Sequence, residues 1–118
     1  MKISVFGTGY VGLVTGVCLA ESGNNVICMD IDKKKIELLK KGVPPIYEKG
    51  LDELLLRNIE ENRIKFTVDA QKAVETSDII FVAVGTPSSD DGSCNLSYVF
   101  ECVETITKFA NKDKILVI

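Results

Sequence analysis

The sequence predicts an α/β fold in which helices cover both faces of a parallel β-sheet. Short β-branched, apolar runs alternate with segments of helical periodicity along the chain, and such alternation implies right-handed crossovers between parallel strands. The run DIIFVAV, residues 78–84, is apolar at nearly every position, as a strand buried on both faces must be. With 118 residues, 46% of them hydrophobic, the chain is long enough for one such domain and its core.

Five strands and five helices are expected in this order of alternation. The strands are recognised by their apolar and β-branched composition, and they cover residues 2–6, 25–30, 64–68, 78–84 and 114–118. The helices are recognised by apolar residues at helical spacing, and they cover residues 10–22, 33–41, 51–62, 69–77 and 95–110. The apolar stripe of the last helix is expected at Leu96, Val99, Val103, Ile106 and Ala110.

Capping residues mark the ends of several of these helices. Asp32 and Asp69 directly precede the second and fourth helices, where an acceptor side chain is favoured as N-cap. Gly23 and Gly42 follow the first and second helices, at the position that favours glycine. Two prolines in VPPIYEKG, residues 43–50, prevent the second helix from continuing, so this segment is predicted to be irregular.

Composition excludes several classes of function. A net charge of −3 indicates neither a nucleic-acid partner nor an anionic membrane surface. The longest apolar stretch is too short to span a bilayer, and the N-terminus lacks the features of a signal peptide, so we expect a cytoplasmic protein. The chain has four cysteines without a C-x-x-C pair and has no histidine. We therefore expect buried, reduced thiols and no metal site.

Four glycines follow the first predicted strand within ten residues, in VFGTGYVGLVTG. Gly7, Gly9 and Gly12 form a G-x-G-x-x-G motif that follows a strand and opens a helix, and Asp30 lies 18 positions after Gly12 at the end of the second strand. This context is typical of a dinucleotide-binding site. The alternative interpretation is a glycine-rich turn that serves only the packing of the chain.

Each residue of the motif has a chemical role if a dinucleotide binds. Gly7 permits the tight turn after the strand, Gly9 leaves room for a pyrophosphate, and Gly12, together with Gly16, lets the helix pack closely on the sheet. The N–H groups of residues 10–11, Tyr10 and Val11, point outward at the helix N-terminus, where the helix dipole favours an anion.

Asp30 and a later turn complete the predicted site. The Asp30 carboxylate would accept hydrogen bonds from the adenosine ribose and repel a 2′-phosphate, which favours NAD over NADP. Lysines at 33–35 could hold a phosphate, but Asp30 would still lie against it. Thr86 follows the fourth strand in Gly85-Thr86-Pro87, on the other wall of the expected crevice, where its hydroxyl can reach the cofactor; an ordinary loop start is the alternative there.

The number of strands predicts an incomplete domain. A doubly wound dinucleotide-binding domain has six strands in the order 3-2-1-4-5-6, and five are recognised in this chain. We therefore expect residues 1–118 to form a Rossmann-type doubly wound parallel sheet that is truncated after the fifth strand.

The motifs G-x-G-Y-V-G-L, P-I-Y-E-x-G-L and V-G-T-P together resemble the N-terminal part of the UDP-glucose 6-dehydrogenase family, and the similarity extends over essentially all 118 residues. Relatives of that family include the GDP-mannose and UDP-N-acetyl-hexosamine dehydrogenases. The resemblance implies a two-step oxidation of the sugar C6 alcohol to a carboxylate. Two NAD are reduced, and a catalytic cysteine carries a covalent intermediate that water hydrolyses.

The resemblance also assigns roles to individual positions. It implies that NAD contacts the glycine loop, Val11, Asp30, Lys35 and Thr86; the alternative for Lys35 is a solvated helix lysine. At Lys49 the family commonly has proline, so the resemblance leaves the exact path of that loop open while implying the same role for it.

The family's catalytic cysteine and sugar-nucleotide domain are expected beyond Ile118, and none of the four cysteines matches the catalytic position. We therefore expect this chain to be inactive alone and to belong to a homo-oligomer that binds a nucleotide sugar through its missing domains. The other hypotheses are a GDP-mannose or UDP-N-acetyl-hexosamine dehydrogenase fragment and a non-catalytic nucleotide-binding module.

Overall fold

The computed structural model describes residues 1–45, 48–84 and 97–118, and this part of the chain contains five strands and five helices. The strands are β1 (Lys2–Phe6), β2 (Asn25–Met29), β3 (Ile64–Thr67), β4 (Ile79–Val82) and β5 (Ile115–Val117). The helices are α1 (Tyr10–Glu21), α2 (Lys33–Lys40), α3 (Leu51–Glu60), α4 (Ala70–Glu75) and α5 (Ser97–Phe109).

The five strands form one parallel sheet in the order β3-β2-β1-β4-β5. β1 lies at the centre, with Val5 opposite Cys28 of β2 on one side and opposite Phe81 of β4 on the other. The chain proceeds outward from β1 through β2 to β3, then returns to the other side of β1 as β4. The strand order therefore reverses between β1 and β4, and ligands of such sheets bind outside the carboxyl ends of the strands at this point.

Helices cover both faces of the sheet, as the apolar strands predict. Successive side chains of a strand point to opposite faces, so Val5 packs into the core under α1, α2 and α3, while Phe6 packs into the core under α4 and α5. Leu13 and Leu55 are fully buried on the first face, and Ile80 is fully buried at the second. The predicted Rossmann-type doubly wound sheet is confirmed.

The capping predictions are also confirmed. The Asp32 carboxylate accepts a hydrogen bond from the backbone N–H of Lys35 at 3.2 Å, and Asp69 accepts one from Lys72 at 3.1 Å. Gly42, which follows the α2 C-cap residue Lys41, has a φ of +82°, in the left-handed region where glycine avoids a steric penalty.

Two sequence expectations about burial are wrong in part. In α5 the buried residues are Cys102 and Ile106, whereas Ala110 is exposed because the helix ends at Phe109. The thiols of Cys28 and Cys102 are buried, but Cys18 is exposed because it lies on the outer face of α1. Leu96 and Cys94 lie outside the described residues.

Candidate functional site

A cleft of about 730 Å³ opens at the carboxyl end of the sheet, beside the point where the strand order reverses. Its lining comes from four places in the chain. They are the turn after β1 (residues 6–11), the end of β2 with the start of α2 (residues 29–31 and Lys35), the end of β4 (residues 83–84), and one face of α5 (Tyr98, Glu101, Cys102 and Thr105). The cleft is therefore bordered by the glycine motif, Asp30 and Lys35 at once.

Two glycines of the motif are explained by the fold itself. Gly7 has a φ of +105°, and a Cβ there would lie 2.6 Å from the carbonyl oxygen of Ala83. A Cβ at Gly12 would overlap the carbonyl oxygen of Gly7. A side chain at Gly7 would clash with the end of β4, and one at Gly12 would clash with the turn after β1. The positive φ of Gly7 fits its predicted role in the tight turn, and Gly12 lets α1 pack closely, as predicted.

Gly9 differs from its neighbours because the described protein does not require a glycine there. Its φ of −72° is accessible to any L-residue, and among the described residues no heavy atom lies within 4 Å of a Cβ built on it. Gly9 also lines the cleft. The missing side chain therefore leaves open space at a position that borders the cleft, which is what a closely approaching ligand needs.

The N-terminus of α1 provides hydrogen-bond donors next to this space. Gly9 is the N-cap, and it has no side chain to cap the first turn. The first-turn N–H groups of a helix have no partner within the helix and carry its partial positive charge. Tyr10 and Val11, the first two helical residues, are exposed and line the cleft. This arrangement suits a phosphate group.

Asp30 lies directly after β2 and is held in place by the glycine turn. Its Oδ2 accepts hydrogen bonds from the Thr8 hydroxyl at 2.7 Å and from the Thr8 N–H at 2.9 Å, and its Oδ1 accepts one from the Asp32 N–H at 3.1 Å. The ammonium of Lys35 lies 3.8 Å from Oδ2. Partial burial raises the pKa of the Asp30 carboxyl, but these hydrogen bonds and the lysine outweigh burial, so the pKa is lowered overall. The site presents an ionised carboxylate.

Lys35 is brought to the cleft by the first turn of α2. Its side chain is 29% exposed and its ammonium faces Asp30. Lys33 and Lys34, on the same helix, are exposed, so Lys35 differs from these solvated lysines. Of the predicted site residues, the structure thus brings together Gly7, Gly9, Tyr10, Val11, Gly12, Asp30 and Lys35. Thr86, with Gly85 and Pro87, lies outside the described residues.

Sequence reasoning missed two parts of the cleft lining and one side chain that contacts a lining residue. The Thr8 side chain is fully buried and hydrogen-bonded to Asp30. On α5, the wall of the cleft has residues at spacings of three and four, which place them on one helical face; this spacing was the signal that could have indicated it. Glu48 accepts a hydrogen bond from the Tyr10 hydroxyl at 3.1 Å, and its carboxylate raises the pKa of that phenol.

The described ranges, 1–45, 48–84 and 97–118, contain neither a candidate metal site nor a candidate membrane-spanning helix. No cluster of three or more histidine, cysteine, aspartate or glutamate residues there has the arrangement of a metal site. None of the helices there combines the length and the apolar character needed to cross a membrane.

An uncapped helix start at the reversal point of a parallel sheet, with an ionised carboxylate at the end of the next strand, defines the class of the domain. It is a dinucleotide-binding Rossmann domain. The sequence profile of the NAD-binding domain of the UDP-glucose/GDP-mannose dehydrogenase family matches residues 1–118. The chain belongs to this family, and the predictions of family, fold class and NAD as cofactor are confirmed.

Individual relatives agree with this assignment. The UDP-glucose 6-dehydrogenase TuaD of Bacillus subtilis is 52% identical over 116 residues, which are 98% of this chain and 25% of TuaD. The crystal structure of a ternary complex of GDP-mannose dehydrogenase from Pseudomonas aeruginosa is 41% identical, with a TM-score of 0.90 over 92% of this chain and 25% of that one. A UDP-glucose dehydrogenase from Pyrobaculum islandicum is also 41% identical, with a TM-score of 0.86 over 89% of this chain and 24% of that one. The chain thus spans about a quarter of the length of these relatives.

Proposed function

We propose that this chain is the NAD-binding portion of a nucleotide-sugar 6-dehydrogenase that oxidises UDP-glucose to UDP-glucuronate with two NAD. The observation that carries the proposal is Gly9, whose missing side chain leaves space beside an uncapped helix start although no described residue requires that space. The choice of UDP-glucose is supported by identities of 52% and 51% to UDP-glucose 6-dehydrogenases from Bacillus subtilis and Rhizobium meliloti.

In this proposal the residues of the cleft hold NAD by its adenosine and pyrophosphate. The first-turn N–H groups of Tyr10 and Val11 donate to the pyrophosphate, which lies against Gly9. Asp30 accepts hydrogen bonds from the ribose hydroxyls. The Lys35 ammonium, 3.8 Å from Asp30 Oδ2, partly offsets the charge of this carboxylate. Thr86, which follows β4 in the sequence, is expected from the family resemblance to contact the cofactor as well. When bound, NAD supplies the hydride acceptor, and this chain's own residues bind and orient it.

The remaining parts of the enzyme are proposed to lie outside these 118 residues. The relatives are about four times as long as the region that they share with this chain. We assign the catalytic cysteine, the sugar-nucleotide domain and the contacts of a homo-oligomer to such further segments, and expect residues 1–118 alone to be inactive. A cytoplasmic enzyme that supplies UDP-glucuronate for polysaccharide biosynthesis is the corresponding biological role.

GDP-mannose dehydrogenase is the second candidate for the whole enzyme. The specific observation in its favour is the TM-score of 0.90 to the Pseudomonas aeruginosa structure, against 0.86 to the Pyrobaculum islandicum UDP-glucose dehydrogenase at the same 41% identity. A non-catalytic nucleotide-binding module is the third. Reading the coding sequence past Ile118 separates an enzyme from a module, because only an enzyme continues into a segment with a catalytic cysteine.

The first experiment is a titration of the chain with NAD and, separately, with NADP, followed by amide chemical shifts. We expect shifts at residues 7–12, at Asp30 and at Thr86, and we expect them at lower concentrations of NAD than of NADP. Shifts confined to residues outside the cleft, or an equal response to both cofactors, would contradict the proposed site. The exposed residues 111–113, in the connection before β5, serve as an internal control whose amide shifts should not change.

A further inference from the structure

The residue between the first two glycines of the motif has a polar side chain that is fully buried. This residue is Thr8, and a buried hydroxyl is costly unless it is hydrogen-bonded. We propose that Thr8 is a positioning residue that orients the Asp30 carboxylate toward the ribose of NAD and so determines the preference for NAD over NADP. The inference rests on the proposed function of the cleft.

Two hydrogen bonds from one residue fix one oxygen of the carboxylate. The Thr8 hydroxyl lies 2.7 Å and the Thr8 amide nitrogen 2.9 Å from the same Asp30 Oδ2. Hydrogen bonds to an ionised acceptor are about twice as strong as neutral ones. The chain reinforces this link at the backbone, because the Gly7 N–H donates to the Met29 carbonyl oxygen at 2.8 Å. The carboxylate is thereby tied to the turn that is proposed to bind the pyrophosphate.

The other oxygen of the carboxylate keeps capacity for a ligand. An ionised carboxylate offers about four acceptor positions, two on each oxygen. Thr8 occupies two positions on Oδ2, whereas the Asp32 N–H, at 3.1 Å, is the hydrogen-bond donor found at Oδ1 among the described residues. Oδ1 is therefore the oxygen that can accept from a ribose hydroxyl, and its direction is set by the clamp on Oδ2.

Lys35 is the group that competes for the carboxylate when the clamp is weakened. Its ammonium lies 3.8 Å from Oδ2, too far for a good hydrogen bond but within reach after a rotation of the Asp30 side chain. Without the Thr8 hydroxyl, the carboxylate can turn toward Lys35. Its negative charge would then oppose a 2′-phosphate less effectively, and its Oδ1 would be misplaced for the ribose.

The test compares Thr8→Val with Thr8→Ser by calorimetric titration with NAD and with NADP. Valine has nearly the shape of threonine and keeps the backbone donor, while serine keeps the hydroxyl. Because loss of the hydroxyl frees the carboxylate that is proposed to accept from the ribose, we expect the Kd for NAD to rise about tenfold in Thr8→Val. The Kd for NADP should change less, so that the ratio of the Kd for NADP to the Kd for NAD falls. Thr8→Ser should retain the wild-type ratio.

A double-mutant cycle with Asp30→Asn shows whether Thr8 acts through Asp30. In the Asp30→Asn background, Thr8→Val should leave the cofactor ratio unchanged. The inference would be overturned if Thr8→Val alone left the ratio of the two Kd values unchanged, or if it changed that ratio equally with and without Asp30. Either result would still be compatible with NAD binding in the cleft. Absence of NAD binding by the wild-type chain would instead contradict the proposed function. If Thr8→Val does not fold, Thr8→Ala removes the hydroxyl without adding bulk and replaces it in the cycle.

Discussion

The residues of the cleft divide into those that shape the protein and those that are free for a ligand. Gly7 and Gly12 are required by neighbouring backbone atoms, whereas no described neighbour requires Gly9 to lack a side chain. Asp30 combines both kinds of role, because Oδ2 is bound to the turn after β1 while Oδ1 retains acceptor capacity. Function at this site is therefore predicted to be separable from stability by single substitutions.

Gly9→Val is the sharpest test of that separation. Because φ is −72° and the described protein leaves the space open, the variant should fold, with a loss of about 1 kcal/mol or less from a poorer N-cap. Its side chain would fill the space proposed for the pyrophosphate, so NAD binding should fall below detection. Gly12→Val is the matched control, because its side chain overlaps Gly7 and should destabilise the fold itself. Thermal unfolding and NAD titration of both variants provide the comparison, and normal NAD binding by Gly9→Val would refute the proposed site.

Asp30→Asn tests the role of the carboxylate in choosing the cofactor. Loss of the charge removes both the ribose acceptor and the repulsion of a 2′-phosphate, so the affinity for NAD should fall about tenfold or more and the preference over NADP should narrow. Asp113→Asn, an exposed position with the same change of charge, should have no effect on either cofactor. Titration of the two variants with both cofactors gives the ratio of the Kd for NADP to the Kd for NAD in each. The same ratio in Asp30→Asn and Asp113→Asn would show that Asp30 is not part of the site.

The same carboxylate predicts a pH dependence of stability. The pKa of Asp30 is lower in the folded chain than the ordinary aspartate value, about 3.9, so its ionised form stabilises the fold. This contribution is fully present above pH 3.9 and is lost as the pH falls through the folded pKa. Urea unfolding at pH values from 6 down to 3 should therefore show a steeper loss of unfolding free energy in the wild type than in Asp30→Asn. Parallel curves would contradict this account of the clamp.

At the scale of elements, the helix caps were predictable from the sequence because they depend on neighbouring residues. Contacts that depend on the pairing of β1 with β2 were not predictable. The N-caps Asp32 and Asp69 and the left-handed glycine after α2, Gly42, follow from neighbouring residues, and all three are confirmed. The hydrogen bonds between Thr8 and Asp30 join residues 22 positions apart that only the parallel pairing of β1 and β2 brings together. No local pattern distinguishes such a threonine from any other residue within the glycine motif.

A buried serine pair makes a testable link between elements. Ser77, after α4, and Ser4 of β1 are buried, and their hydroxyl oxygens lie 3.0 Å apart, while the Ser77 hydroxyl is also within 2.8 Å of the Ala73 carbonyl oxygen. Ser77→Ala leaves Ser4 without this partner, so the free energy of unfolding should fall by about 1–3 kcal/mol. Exposed Ser22→Ala is the control and should cost less than about 0.5 kcal/mol. Urea denaturation of both variants checks the difference; equal values would mean that the pair adds nothing.

For the whole molecule, the strand order and the two covered faces were predictable because the apolar alternation of strand and helix admits few topologies. The orientation of α5 was not, since two neighbouring faces of this helix, one with Cys102 and Thr105 and the other with Val99, Val103 and Ile106, both offer apolar or small side chains. Which of these faces turns toward the sheet depends on packing against α4 and β4, where Cys102 and Ile106 fill the core. As a result, the contribution of α5 to the cleft is seen in the structure but could not be predicted from the sequence.

The rate at which the cysteine thiols are alkylated measures how much ligand binding stabilises the fold. Cys28 is fully buried between the sheet and α1, and burial raises the pKa of its thiol to about 12, so alkylation at neutral pH requires global opening. A ligand that binds only the folded chain stabilises it by about 2.7 kcal/mol at 100 times its Kd, which slows labelling of Cys28 by about 100-fold. Exposed Cys18 should be labelled at the same rate with and without NAD. Peptide mass spectrometry after timed iodoacetamide treatment measures both sites, and equal slowing at Cys18 would indicate an effect on the reagent rather than on the fold.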